Sequence, residues 1–256
     1  MFKWNLVGFY LFQDPHLYFL NAAWLALWIS VVAQAIGVVL GLLLALMQMS
    51  RFRALKWIAQ AYIWFFRGSP LLVQVLLLWN GLPKLVPGLL LPDYACVLVA
   101  FSLNEGAYMS EITRAAIGAV DPGQMEAAKA LGMRYWVAMR RIILPQAARV
   151  IIPPLGNEFN NMLKTTSIAT VVGMMELTNF ARTFGAPTFS IFELLIVATV
   201  YYLLLTTLWG FVQQWIERKL DPDRNQKFKV NKSFSQRTFG FGFGSNDQSL
   251  VKGGSR

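Results

Sequence analysis

Charged and polar side chains interrupt two apolar stretches of this sequence, and they are the residues best able to recognise a polar molecule. Glu105 lies in the first stretch, and Glu158 and Lys164 lie in the second. In GNEFNNMLKTTS, Glu158, Asn161 and Thr165 stand at i, i+3 and i+7, which places them on one face of a helix. A charge inside a bilayer is costly, so such side chains normally face a cavity or a partner. We therefore expect a polar pathway here.

The sequence has few of the residues that covalent catalysis or metal binding requires. The chain contains one cysteine, Cys96, and one histidine, His16. These counts exclude an intrachain disulfide, a cysteine-based or multi-histidine metal site, and a Ser–His–Asp triad. We predict no catalytic residue and no metal ligand, and we expect a binding and transport role rather than an enzyme.

The composition predicts an all-α membrane protein. Hydrophobic residues make up 56% of the chain and charged residues 14%, which is too apolar for an ordinary soluble domain. Segments 17–50 and 194–216 are each longer than the roughly 20 residues that cross a bilayer. Three less uniform spans, one containing Arg67, are expected over residues 61–82, 94–116 and 150–173. The total is about five spans.

The basic residues predict the topology. Segments 51–57, 114–149 and 218–256 lie on the same side of a five-span chain and hold 18 of its 23 Lys and Arg. By the positive-inside rule this side is cytoplasmic, so the N-terminus is outside and the C-terminus is inside. The net charge of +10 is then mainly a consequence of topology, and no nucleic acid is needed to explain it.

The ends of the chain differ from its centre. We expect residues 1–16 to be periplasmic, residues 17–220 to be the transmembrane domain, and residues 221–256 to be a disordered basic tail in the cytoplasm. The start of the chain lacks a basic segment followed by a short apolar core and a cleavage site. We therefore expect no cleavable signal peptide.

The segment from 121 to 146 is charged and helix-forming although its neighbours are apolar. Asp121 can cap a helix that starts with Pro122, and Gly132 can end that helix in a left-handed conformation. A second helix is expected from Met133 until Pro145 interrupts it. The sequence therefore predicts a short helix pair that projects into the cytosol, where another protein could act on it.

This segment resembles the EAA loop of the permease subunits of ABC importers, whose pattern is EAA, three residues, Gly, nine residues, Ile, one residue and Leu-Pro. The matching residues are Glu126, Ala127, Ala128, Gly132, Ile142, Leu144 and Pro145. The resemblance implies a type I importer fold, in which this loop forms a coupling helix that docks into a cleft of an ATPase subunit. Glu126 would make the polar contact in that cleft.

Three further motifs resemble the permeases for polar amino acids, the histidine, glutamine, glutamate and arginine type. They are FRGSPLLVQ, LNEGAYMSEITRAAI and PPLGNEFNNMLKTTSIATVVG. The resemblance covers about residues 15 to 220. It implies a bacterial inner-membrane complex with two ATPase subunits, a second permease, identical or homologous, and a periplasmic or lipid-anchored substrate-binding protein. The chain has no G-x-x-x-x-G-K-[ST] motif, so ATP and Mg²⁺ would bind to the ATPase partner and no cofactor to this chain.

If the substrate is an amino acid, each polar side chain of the pathway has a possible role in binding it. Its ammonium group needs an acceptor, for which Glu105 and Glu158 are suited, and its carboxylate needs donors, for which Asn161, Lys164 and Thr165 are suited. Two alternatives stay open: these residues could pair with other helices or subunits, and Glu105 could meet Lys164. Permeases of this type often carry Asp where this chain has Thr165, which weakens the case for a cationic substrate unless Glu158 and Glu105 supply the negative charge instead.

A different class of transporter is the main alternative. An ion-coupled secondary amino-acid transporter can also carry charged residues within its spans. Such a protein normally has more spans or internal repeats, and it has no need of an EAA loop. Dependence on an ATPase partner would separate the two classes.

Overall fold

The computed structural model describes residues 3–13 and 18–220, which are helical and include no β-strand. The predicted tail, residues 221–256, lies outside the described residues. The described residues up to Trp215 form one compact unit, and those from Ile216 to Leu220 belong to a second. The described α-helices are α1 (Trp4–Phe12), α2 (Tyr18–Gln48), α3 (Arg53–Gly68), α4 (Leu71–Leu76), α5 (Leu82–Leu85), α6 (Asp93–Gly118), α7 (Pro122–Ala130), α8 (Tyr135–Ala138), α9 (Leu144–Thr165), α10 (Leu177–Gly185) and α11 (Ile191–Leu220).

The first and last predicted spans are confirmed as long apolar helices. Of the helices in the described part of the chain, α2 and α11 are each long and apolar enough to cross a membrane. The segment from α3 through α5 passes the same test only as a pair of helices that meet at 103°. The predicted helix over residues 94–116 corresponds to α6, which extends from Asp93 to Gly118.

The span predicted over residues 61–82 is not one straight helix, because α3 and α4 are separated by a sharp bend. Pro70 has no N–H, and Ser69 before it is extended with ψ 145°. Gln74 Nε2 donates to Phe66 O at 2.9 Å and to Ser69 O at 3.1 Å, and Asn104 Nδ2 donates to Phe66 O at 2.9 Å. The buried Gln74 amide and the half-buried Asn104 amide satisfy the carbonyls at the break, and Asn104 attaches it to α6.

The predicted boundaries of the span over residues 150–173 also need correction. Helix α9 begins earlier, at Leu144, and ends at Thr165, after which Thr166–Val172 form a 3₁₀ helix. Pro145 was predicted to interrupt a helix, but it lies in the first turn of α9 instead. The π-helical turn Met139–Ile143 precedes it, with Leu144 N donating to Met139 O, and Pro145 then occupies the first turn of α9, where its missing N–H is tolerated.

Close packing of α2 against α6 brings polar groups into the interior. A Cβ atom added at Gly37 would lie 2.5 Å from Glu105 Cγ, and one added at Gly41 would lie 2.5 Å from Met109 Cβ. Only glycine allows so close an approach, as is typical of helix pairs in membranes. The two glycines therefore set how near Glu105 lies to α2.

Glu176 joins three elements around one fully buried carboxyl group. Its Oε1 accepts from Thr170 Oγ1 and from Asn179 N, both at 2.8 Å. Its Oε2 accepts from Thr178 N at 2.9 Å and from the Tyr202 hydroxyl at 2.6 Å. The 3₁₀ helix, the N-terminus of α10 and α11 are thus held together by a side chain whose acceptor capacity is well used.

Candidate functional site

A cavity of about 350 Å³ lies between α6 and α9 and holds most of the predicted pathway residues. Glu105 from α6 and Glu158, Asn161 and Thr165 from α9 all line it. The i, i+3, i+7 spacing on α9 therefore does place three polar side chains on a common wall. The full lining is Leu71, Asn104, Glu105, Tyr108, Glu158, Asn161, Met162, Thr165 and Ile168.

Glu105 is the most enclosed polar group of this lining. It is 4% exposed, and its Oε1 is buried without a hydrogen-bond partner among the described residues. Gln34, on α2, is also buried, and its amide nitrogen lies 3.5 Å from Met109 Sδ. Buried polar atoms without partners are rare in folded proteins and call for an explanation. The cavity is the side of Glu105 from which a partner could come.

Lys164, the fifth predicted pathway residue, does not line this cavity. Its side chain is exposed, whereas its neighbours Leu163 and Met162 are buried. Each helical residue advances by about 100°, so Lys164 lies about 120° around α9 from Glu158, while Thr165 lies within about 20° of it. Lys164 therefore lies on a stripe of α9 beside the wall that holds Glu158, Asn161 and Thr165.

Sequence reasoning found Glu105 on α6 but missed Asn104 and Tyr108 on the same helix and Leu71 after the bend. Asn104 lines the cavity and also donates to Phe66 O at the bend. Tyr108 follows Asn104 by four residues, and this helical spacing on the face of Glu105 was the available signal. Arg67, from the end of α3, has its Cζ 5.2 Å from the centroid of the Tyr108 ring. This distance is typical of a cation–π contact.

Metal ligation is not favoured by the described geometry. Residues 3–13 and 18–220 contain no group of three or more His, Cys, Asp or Glu side chains placed to hold an ion. The site therefore offers hydrogen bonds and charge to a polar molecule.

The predicted helix of the EAA loop is present as α7. Asp121 caps it, with its Oδ1 accepting from Gly123 N at 2.8 Å, and Gly132 follows its end with φ +75°. Gly132 N donates to Lys129 O at 2.9 Å, which closes the turn. Local sequence thus defines both ends of this helix, as predicted.

The seven motif residues divide into an exposed set and a packed set. Glu126, Ala127, Gly132 and Pro145 are exposed. Ala128 is buried, and Ile142 and Leu144 pack against an apolar cluster below α7, whose buried members are Ala116, Ile117, Met139, Ile143 and Ala147. Helix α7 packs against the turn Met139–Ile143 and α8, which leaves the exposed residues available to a partner.

Two large apolar side chains beside the motif were not among the residues predicted to contact a partner. Leu131 is 80% exposed and Trp136 is 67% exposed, on either side of Gly132. Apolar residues of this size in a charged, exposed loop are the signal that sequence reasoning could have used. They enlarge the surface that α7 presents.

Comparison with known families identifies the chain. Residues 37–222 match the model of the binding-protein-dependent transport system inner membrane component. This match covers more than half of the chain, including the cavity and the EAA loop. The chain belongs to this family and is the multi-pass inner-membrane permease subunit of an ABC importer.

Individual relatives agree with this assignment. The chain is 42% identical over 192 residues to the arginine transport system permease protein ArtQ of Bacillus subtilis, covering 75% of this chain and 87% of that one. It is 39% identical over 209 residues to the putative glutamine transport system permease protein GlnP of Rickettsia bellii, covering 82% and 95%.

Solved structures show the same fold. A crystal structure of an amino acid ABC transporter with histidines contains a chain that is 40% identical, with a TM-score of 0.75, covering 80% of this chain and 95% of that one. A chain of the inward-facing MetNI methionine ABC transporter is 17% identical, with a TM-score of 0.71, covering 82% and 99%. The second likeness concerns the fold alone.

Proposed function

We propose that this permease subunit carries polar amino acids and that the cavity between α6 and α9 is part of their pathway. The proposal rests on one observation: a single cavity is lined by Glu105, Glu158, Asn161 and Thr165. Carboxyl groups suit the ammonium group of an amino acid, and the Asn161 amide suits its carboxylate. The relatives named for arginine, glutamine and histidine agree with a substrate of this class.

The exposed residues of α7 and its flanks form the proposed ATPase contact. In this account Glu126, Ala127 and Gly132 meet the ATPase directly, while Ala128, Ile142, Leu144 and Pro145 shape the surface. ATP and Mg²⁺ bind to that partner and not to this chain. Closure of the ATPase dimer would move α7 and switch the spans between two conformations with different access to the cavity.

The remaining assembly follows from the same proposal. About five spans per permease, with the N-terminus outside and the C-terminus cytoplasmic, place α7 on the side of the ATPase. The complete complex contains two permease subunits, two ATPase subunits and a substrate-binding protein outside the membrane. In this chain, the segment outside the membrane is residues 1–16, the transmembrane domain is residues 17–220, and the cytoplasmic tail is residues 221–256.

A pair of substitutions in α7 tests the coupling role. Glu126→Lys or Gly132→Asp should abolish ATP-dependent amino-acid uptake by reconstituted vesicles and release the ATPase, with membrane insertion unchanged. Gln124→Lys is the matched control, because Gln124 is exposed but lies about 200° around the helix from Glu126. Normal uptake and normal ATPase recovery in both loop variants would contradict the proposal, and so would full uptake driven by an ion gradient alone.

A further inference from the structure

The charges around the cavity are unequal. Glu105 and Glu158 contribute two carboxyl groups to its lining, and no Lys, Arg or His of the described residues lines it. Lys164, the cation that the sequence offered, is exposed and outside the lining. Arg67 is held beside the cavity, over the Tyr108 ring. With Arg67 included, the groups at the cavity still carry one more acidic than basic side chain.

The helix packing leaves one oxygen of the Glu105 carboxyl group without a partner among the described residues. Only 4% of the Glu105 surface is exposed, and its Oε1 has no hydrogen-bond partner in the described part of the chain. On the side of α2 it faces Gly37, which offers no side chain, and the buried Gln34, whose side chain interacts with the Glu105 carboxyl group but leaves Oε1 without a partner among the described residues. A carboxyl group in this position is costly unless a donor or a cation reaches it, and the cavity is open to such a ligand.

We propose that the cavity selects amino acids with a cationic side chain and that Glu105 is the residue that determines this specificity. This inference rests on the proposed function, since it presumes that the cavity carries amino acids. Such a substrate has two cationic groups and one carboxylate. Glu105 and Glu158 match the two cationic groups, and Arg67 with Asn161 matches the carboxylate.

Neutral and acidic amino acids are disfavoured by the same groups. A neutral side chain leaves one carboxyl group without a counter-charge, and an acidic side chain places like charges together. Specificity of this kind comes from the penalty on the wrong ligand as much as from the attraction of the right one. Thr165, in place of the Asp common in this family, does not weaken the preference, because Glu105 supplies an acidic group across the cavity.

The test compares L-arginine with L-citrulline, which has nearly the same shape and no side-chain charge. Binding is measured by titration calorimetry on the permease purified with its ATPase partner in nanodiscs. The substrate-binding protein is omitted, since its own selectivity would mask that of the cavity. We expect arginine to bind at least about 10-fold more tightly than citrulline, a difference of about 1.4 kcal/mol. Glu105→Gln should reduce that ratio to within about twofold.

Two variants separate charge from loss of structure. Glu105→Asp keeps the acidic group and should retain a clear preference for arginine, with weaker binding because the side chain is shorter. Glu193→Gln is the matched control. Glu193 does not line the cavity, and its Oε1 accepts from Lys3 N at 2.9 Å. This variant should leave the ratio unchanged.

Three results would overturn the proposal: equal or tighter binding of citrulline, tighter binding of glutamate, or an arginine preference that survives Glu105→Gln. If glutamine or glutamate binds in place of arginine while the ATPase stays attached, the specificity proposal alone fails. If no amino acid of any charge binds and no ATPase is recovered, the proposed function fails with it.

Discussion

Two glutamates are buried to nearly the same extent, and they differ in what surrounds them. Glu176 is fully buried and receives four hydrogen bonds from three elements, whereas Glu105 is 4% exposed and has an oxygen without a partner. A satisfied buried acid stabilises a fold, and an unsatisfied one at a cavity is available to a ligand. The hydrogen-bond partners, more than burial, therefore distinguish a structural acid from a functional one.

The largest effect is expected from Glu176→Gln. The amide would keep one acceptor oxygen and turn its NH₂ toward groups that donate to Glu176, including the backbone N–H of Thr178 or Asn179. Buried donors left without acceptors should cost about 3 to 5 kcal/mol. We expect the apparent melting temperature of the purified protein in detergent to fall by about 10 °C. A fall of less than about 2 °C would show that Glu176 is not a structural acid.

A smaller effect is expected from Gly37→Ala, which tests the helix contact behind Glu105. The new Cβ would lie 2.5 Å from Glu105 Cγ, so α2 and α6 must separate, at a cost of about 1 to 3 kcal/mol. Arginine binding should weaken as well, because Glu105 is displaced. Gly210→Ala is the matched control, since nothing lies within 4 Å of a Cβ added there. Equal melting temperatures for both variants would contradict the close contact.

Tyr202→Phe removes a single donor from Glu176 while keeping the ring in place. The lost bond is the 2.6 Å contact to Oε2, and the other three donors remain. We expect a loss of about 1 to 2 kcal/mol, measured by thermal unfolding, and arginine binding within about twofold of the wild type. A loss as large as that of Glu176→Gln would mean that this one bond carries the whole cluster.

The smallest effect on stability is expected from Glu105→Gln. Because Oε1 has no partner among the described residues, an amide at this position breaks no bond to that atom and removes a buried acidic group. The melting temperature should change by an amount equivalent to less than about 1 kcal/mol, in either direction. A drop comparable to that of Glu176→Gln would place Glu105 with the structural acids and remove the reason to treat it as a ligand group.

The sequence predicted those features that depend on local spacing. Glu158, Asn161 and Thr165 share a wall because helical periodicity alone puts them there, and α7 begins at its Asp121 cap and ends before Gly132 for equally local reasons. The same periodicity, applied strictly, separates Lys164 from that wall. Lys164 lies on the stripe of α9 beside that wall and stays a predicted pathway residue that this cavity does not include.

Other features depend on contacts between distant segments. The bend before Pro70 has a local signal in Gly68, Ser69 and Pro70 that the predicted span passed over. Asn104, which stabilises the bend, lies more than 30 residues away. The role of Glu176 depends on Tyr202, which lies 26 residues further along the chain. Neither pairing leaves a periodic pattern, so only the packed structure shows them.

The central claim is that this permease works with a separate ATPase through α7. The most direct measurement is a pull-down of the tagged full-length chain from membranes dissolved in mild detergent, with mass spectrometry of all recovered proteins. We predict recovery of an ABC ATPase with the wild type and with Gln124→Lys, and its loss with Glu126→Lys. Recovery of the chain alone, or equal ATPase recovery from all three proteins, would contradict the account.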